Sequence, residues 1–220
     1  SYYLPGRVLD NHELVTEFPE WTVEKVASKV GISERHISAP DETATDMAVK
    51  AAEKLFAEHS EIKCAEIDFV MLCTQSPDYF LPTSACMIQD RLGYVYGLSL
   101  SKGLLAAGIA RNVLLLTSET YTKYIHFKDK GNRTIFADAA SATLISGNGF
   151  AEIGDFSLGT DGRGADNLIV RSGCARYPKP FGDIVYDENG NPVSSDHLYR
   201  NGSEIFNFPL ETVPVLLSDI

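Results

Sequence analysis

Four features of this 220-residue sequence combine residue types and surroundings that could do chemistry. Cys86 lies early in Thr83–Leu92 (TSACMIQDRL), an apolar-faced helix expected to follow a strand and Pro82. A thiol near a helix N-terminus is favoured as thiolate and can attack a carbonyl. Flanked by Ala85, Met87 and Ile88, it reads first as a core thiol and only second as a nucleophile. Asp138, inside the small-residue run ADAASA at 137–142, can orient a reacting group or cap a backbone turn. Lys123, Lys128, Lys130 and Arg133 make the densest basic patch, either a solvated loop or a receiving surface for phosphate. Gly159–Gly164 (GTDGRG) lacks both the GxxxxGK(S/T) and GxGxxG spacings, so it reads as a flexible turn.

Other chemistries are excluded by what the sequence lacks. No GxSxG elbow occurs, which argues against a serine hydrolase of that type. The histidines, at 12, 36, 59, 126 and 197, are dispersed, so no metal site is expected. Cys64, Cys73, Cys86 and Cys174 have no metal spacing; Cys64 and Cys73 flank or belong to apolar strand sequence, which predicts reduced core thiols. A formal net charge of -11 argues against a nucleic-acid groove or an anionic membrane surface. No apolar run reaches the roughly 18 residues of a membrane span. Ser1–Pro5 (SYYLP) lacks the parts of a signal peptide, and a cytoplasmic location is the expectation.

The elements that would position these groups centre on Asp68–Glu119. Asp68–Thr74 and Asn112–Ser118 are nearly continuous apolar runs, as strands buried on both faces are. Between them come a loop, Gln75–Pro82, the helix Thr83–Leu92, and a second helix, Tyr94–Ala107. Gly93 joins one helix to the next with no strand between, which is abrupt for a parallel sheet. Upstream, Ala44–His59 reads as a helix capped by Thr43 or Thr45, with a stripe of Met47, Ala48, Ala51, Ala52, Leu55 and Phe56. Residues 21–30 read as a helix anchored by Trp21 and stopped by Gly31. Residues 1–20 read as loop with a short helix after Asn11, and 32–39 as a turn. Downstream, 137–142 is too poor in bulk for an ordinary strand, so strands are expected at Ala142–Ser146, Ala151–Leu158 and Leu168–Arg171. Asn201–Ile220 reads as a helix kinked or broken at Pro209 and Pro214.

Seven motifs, in order, resemble the 3-oxoacyl-[acyl-carrier-protein] synthase III family. They are YLPGRVLDN at 3–11, GISERHISA at 31–39, TDMAVKAA at 45–52 and the whole of 68–93. DKGNRTIFADAASA at 129–142, LGTDG at 158–162 and NGSEIF at 201–206 complete the set. The resemblance implies an α/β, thiolase-like layered α/β/α/β/α fold, with residues 1–220 as the N-terminal half of the duplicated unit. It also implies that a segment is missing between Gly93 and Tyr94, and that the C-terminal half is absent. That segment would carry the nucleophilic cysteine; the family's catalytic histidine and asparagine would lie beyond Ile220, so no catalytic residue can be named. Cys86 matches a structural position.

The implied activity is acyl transfer by decarboxylative Claisen condensation of an acyl thioester with malonyl-acyl-carrier protein. No cofactor is implied; acyl-CoA and malonyl-carrier are substrates, and the partners are acyl-carrier protein, a CoA thioester and a second copy in a homodimer. Transfer to an oxygen or nitrogen acceptor, or a silent dimerising module, remain as alternatives. Ligand-side positions carry over to Lys25, Lys29, Lys130, Gly131 and Phe206, and Leu81 matches a residue that relatives contribute across the dimer toward the acyl pocket. Lys25 stands where relatives often hold a stacking tryptophan and Lys130 where they hold arginine. Ala139 and Ser141 replace two family glycines. These departures mark a divergent member.

Overall fold

The computed structural model describes residues 1–78, 94–159, 161–174, 176–188 and 190–218. Contacts divide the chain into two compact units: Ser1–Leu9, Glu34–Tyr121 and Ala137–Gly154 in the first, Asp10–Ser33, Thr122–Phe136 and Asp155–Ile220 in the second.

The first unit is a three-layer sandwich. Its sheet holds β1 (Tyr2–Tyr3), β4 (Phe69–Cys73), β5 (Asn112–Thr120) and β6 (Asp138–Ser146), in the order β1-β6-β5-β4. β4 and β5 are parallel, while β6 runs antiparallel to β5 and to β1. The alternation of β5 sorts its leucines between two cores. Leu114 and Leu116 face α3 (Ala44–Glu58) with Leu72, Ala140 and Ala142; Val113 and Leu115 face the other side with Met71 and Ile145, covered by Leu98, Leu104 and Leu105 of α4 (Tyr94–Ala106). α3 starts at a capping box in which Thr43 and Asp46 bond each other's backbone N–H. A short ribbon of β2 (Arg7–Asp10) and β3 (Glu34–Ile37) completes the unit.

Several expectations are corrected. A strand opens the chain: Tyr2 and Tyr3 pair with Ser141 and Ala140, a ladder too short to show alternation. Residues 34–37 form a strand rather than a turn, and Arg35 within it is 1% exposed. The run at 137–142 is strand from Asp138 onward: Ala140 and Ala142 are small because α3 lies close over them. Ala151–Leu158 has no strand partner, although Ile153 packs on the second core. Cys64 is exposed on a 3-10 turn and Cys174 is exposed too, so neither is a core thiol.

The second unit is built from short elements. α1 (Asn11–Glu17) is capped by Asp10 rather than Asn11, and α2 (Val23–Val30) ends at Gly31, whose φ of 66° suits glycine. α5 (Lys130–Arg133) follows, then a 3-10 turn at Gly162–Asn167, which takes in the last three residues of the glycine-rich stretch. β7 (Leu168–Ile169) pairs with β10 (Tyr199–Arg200), and β8 (Val185–Tyr186) with β9 (Pro192–Val193). α6 (Gly202–Ser218) runs on through Pro209 and Pro214 instead of breaking, and none of its residues is buried. Leu81, Cys86 and the join at Gly93 lie outside the described residues.

Gly97 sets how closely α4 can approach β5. A Cβ there would lie 2.7 Å from Leu115 Cδ1, and Leu115 is fully buried. Gly97→Val is expected to lower unfolding stability by about 1–3 kcal/mol in urea titration, whereas Gly103→Ala, with open space around it, should not destabilise.

Candidate functional site

The second unit holds five of the six residues singled out for ligand contact. Lys25 and Lys29 are one turn apart on α2 and therefore share a face. Thr22 caps that helix, its Oγ1 accepting from the Lys25 N–H at 3.2 Å. Both ammonium groups lie over the half-buried ring of Trp21, at 5.5 and 5.6 Å from its centroid. Trp21 is thus more than a helix anchor: its ring is an aromatic plane faced by two ammonium groups. Its spacing with the two lysines, four and eight residues on, was the available signal.

Lys130 and Gly131 open α5, whose Asp129 cap accepts from the Asn132 N–H at 2.9 Å. Asn132 is buried and holds three elements, donating to the Leu198 carbonyl at 3.0 Å and accepting from Arg200 Nε at 2.8 Å. A Cβ on Gly131 would sit 3.5 Å from Asp129 Oδ1, an ordinary contact, so local packing does not demand glycine. Lys130 is ion-paired with Glu20, the residue before Trp21. Glu20 titrates below the usual glutamate range, first because Lys130 donates to it, and Lys25 adds to the effect. Arg133 grips Glu17 with both guanidinium nitrogens, at 2.5 and 3.0 Å. The structure thus links Lys25, Lys29 and Lys130 through Trp21 and Glu20. Phe206 stands on α6, 66% exposed, with no contact tying it to them. Leu81 is outside the described residues.

Two further constellations emerge. His126 and His197, far apart in sequence, meet edge to face at 4.9 Å. His126 is buried, its Nδ1 accepts from the Lys128 N–H at 3.2 Å, and burial and then His197 hold its pKa below the ordinary value. A cleft of about 390 Å³ between β7, β8 and β9 contains none of the expected site residues; Arg171 in its wall pairs with Asp166 at 3.2 Å, and Asp183 accepts from Ser195 Oγ at 2.7 Å.

In the first unit, polar groups gather where β4 and β5 end together, the end at which open α/β sheets place their chemistry. Asp138 is fully buried, and its Oδ2 accepts from the Ser38 N–H at 2.8 Å and Oγ–H at 2.7 Å, so it caps backbone as one of its two readings anticipated. Glu119 accepts from the Gln75 N–H at 2.6 Å and from Ser76 Oγ at 2.8 Å, tying the loop after β4 to β5. Among the described residues no group of three or more His, Cys, Asp or Glu could hold a metal, and no helix is long and apolar enough to cross a membrane.

A family model for 3-oxoacyl-[acyl-carrier-protein (ACP)] synthase III matches residues 89–162. The beta-ketoacyl-[acyl-carrier-protein] synthase III of Clostridium perfringens strain 13 is 30% identical over 234 residues, covering 99% of this chain and 69% of that protein. The chain belongs to the 3-oxoacyl-[acyl-carrier-protein] synthase III family. A solved 3-oxoacyl-(acyl-carrier-protein) synthase III structure is 48% identical with a TM-score of 0.93, covering all of this chain and 71% of its own. The Burkholderia xenovorans 3-oxoacyl-(acyl-carrier protein) synthase is 31% identical at a TM-score of 0.81, covering 99% of this chain and 66% of its own. The mixed α/β sheet fits the thiolase-like architecture, and Claisen-type condensing acyl transfer with carrier-linked substrates is the activity class of this synthase III chain.

Burial lifts the pKa of Glu119 above the ordinary 4.5, and the Asp138 charge adds to this. A raised carboxyl pKa contributes stability that is full below the unfolded value and is lost as pH rises through the folded one. The stability of the native protein relative to Glu119→Gln should therefore fall as pH rises from about 4 to about 7, measured by urea unfolding across that range; a difference that grows with pH would contradict the assignment.

Proposed function

We propose that this protein condenses an acyl thioester with a malonyl group held on acyl-carrier protein. The acyl group first passes to the enzyme's cysteine, and the donor thiol is released; the malonyl unit then loses carbon dioxide, its α-carbon attacks the enzyme-bound thioester carbonyl, and the acyl–sulfur bond breaks as the carbon–carbon bond forms, returning the cysteine thiolate and leaving a 3-oxoacyl thioester on the carrier. On this reading the first unit is the N-terminal half of the duplicated thiolase-like fold, and the second carries its insertion loops. The cysteine, histidine and asparagine of the chemistry belong to segments outside the 220 residues. α6 supports this division: Ile205, Phe206, Phe208, Leu210, Val213, Val215 and Leu217 are all exposed on it, an apolar helix of the kind that a further domain half covers.

The observation that carries the donor-site reading is the Trp21 ring faced by Lys25 and Lys29, with Lys130 joined to the neighbouring Glu20. An aromatic plane set among ammonium groups suits the phosphate-bearing arm of a thioester donor. Lys25, Lys29, Lys130, Gly131 and Phe206 form this surface in the proposal, and by family resemblance Leu81 belongs to the acyl pocket of a second copy in a cytoplasmic homodimer. The departures at Lys25 and Lys130 make it a divergent donor site: Lys130 keeps the charge of arginine without its two-pronged fork.

Incubation of the intact protein with acyl thioesters should add one acyl mass per chain. Lys25→Glu together with Lys29→Glu should raise the donor KM by roughly tenfold with a smaller change in kcat. No adduct with any acyl donor would overturn the transferase reading, and an unchanged KM would remove the two lysines from the donor site.

A further inference from the structure

The cations that α5 offers are already answered from within the chain. Glu17 and Glu20 come from the turn between α1 and α2, on either side of Pro19, and engage Arg133 and Lys130 across more than a hundred residues of sequence. The turn is held in place: the Trp21 N–H donates to the Phe18 carbonyl at 2.9 Å, and the Arg133 guanidinium lies 5.6 Å over the Phe18 ring. Arg133 Nη1 also donates to the Phe127 carbonyl at 2.7 Å. The cationic side chains are 17% and 16% exposed, while Glu20 and Glu17 are 49% and 41% exposed. The carboxylates are therefore the outer members of each pair, standing where an incoming phosphate would meet the cations.

A carboxylate so placed competes with phosphate for the same N–H donors and repels any phosphate that does not displace it. The two classes of acyl thioester differ in this respect. A CoA thioester brings a diphosphate and a 3′-phosphate on a nucleoside, whereas a carrier-linked thioester brings one phosphodiester. Internal anions beside the cationic surface thus weigh more heavily on the donor with more phosphates.

We propose that Glu17 and Glu20 are specificity residues which disfavour nucleotide-bearing CoA donors and turn the site toward carrier-linked thioesters. This rests on the donor-site reading above. Glu17→Gln, Glu20→Gln and the double variant in the full chain are to be titrated with adenosine 3′,5′-bisphosphate, and kcat/KM measured for one acyl group presented on CoA and on acyl-carrier protein. Each exposed pair is worth a few-fold, so the double variant should bind the bisphosphate roughly tenfold tighter, and the CoA-to-carrier ratio of kcat/KM should rise by a similar factor. Glu20→Asp should keep the native ratio. Should the double variant fail to fold, Glu20→Gln alone, at a half-exposed position, should still tighten bisphosphate binding by about threefold. Unchanged or weaker binding, or a ratio that stays level while both donors react, overturns the proposal. If neither donor reacts, the condensing reading fails instead, and the bisphosphate titration still decides the role of the glutamates.

Discussion

The first unit depends on the closeness with which α3 lies on the sheet. Ala48, Ala51 and Ala52 on the helix meet Ala140 and Ala142 on β6, with Met47, Leu55, Leu72, Leu114 and Leu116 filling the remaining space. Interiors are packed at crystal-like density, so one added methylene on either side of such a seam must be answered by a shift of backbone. With α3 seated there, the β5–β6 register follows, from Asn112 opposite Ser146 to Thr120 opposite Asp138. That register brings Asp138 under the Ser38 backbone and places Glu119 beside the loop that leaves β4. Gly97 has the same role on the opposite face, where a side chain would strike Leu115.

Charge organises the second unit. The protein is strongly acidic overall, yet Lys25, Lys29, Lys130 and Arg133 gather around Trp21, Phe18 and the acids at 17 and 20. Pairs of this exposure contribute little to folding. Their consequence lies in which anions the surface admits, and a ligand phosphate must compete with carboxylates already in place.

Much of the fold was legible because it depends on local pattern. α3, α4, β4 and β5 show their period and their stops within a few residues of the observed bounds. The missed strands failed for physical reasons: β1 spans two residues, β3 four, and the missed first part of β6 is made of small side chains whose purpose lies in the helix above them. In the candidate site, Lys25, Lys29 and Gly131 were legible only through the family pattern, while Lys130 also stood out in the densest basic patch. The part of Trp21 could have been read from its four-residue spacing to the lysines. Glu17, Glu20 and the His126–His197 contact could not, because each partner is supplied by folding from a distant segment.

Condensation joins the acyl group to carbon with loss of the malonyl carboxyl. Malonyl-acyl-carrier protein labelled in its free carboxyl, together with an acyl thioester and the full protein, tests this in one vessel. Labelled carbon dioxide and unlabelled 3-oxoacyl-carrier are expected in equal amounts. Acyl transfer to an oxygen or nitrogen acceptor without release of label, or label retained in the product, would contradict condensation.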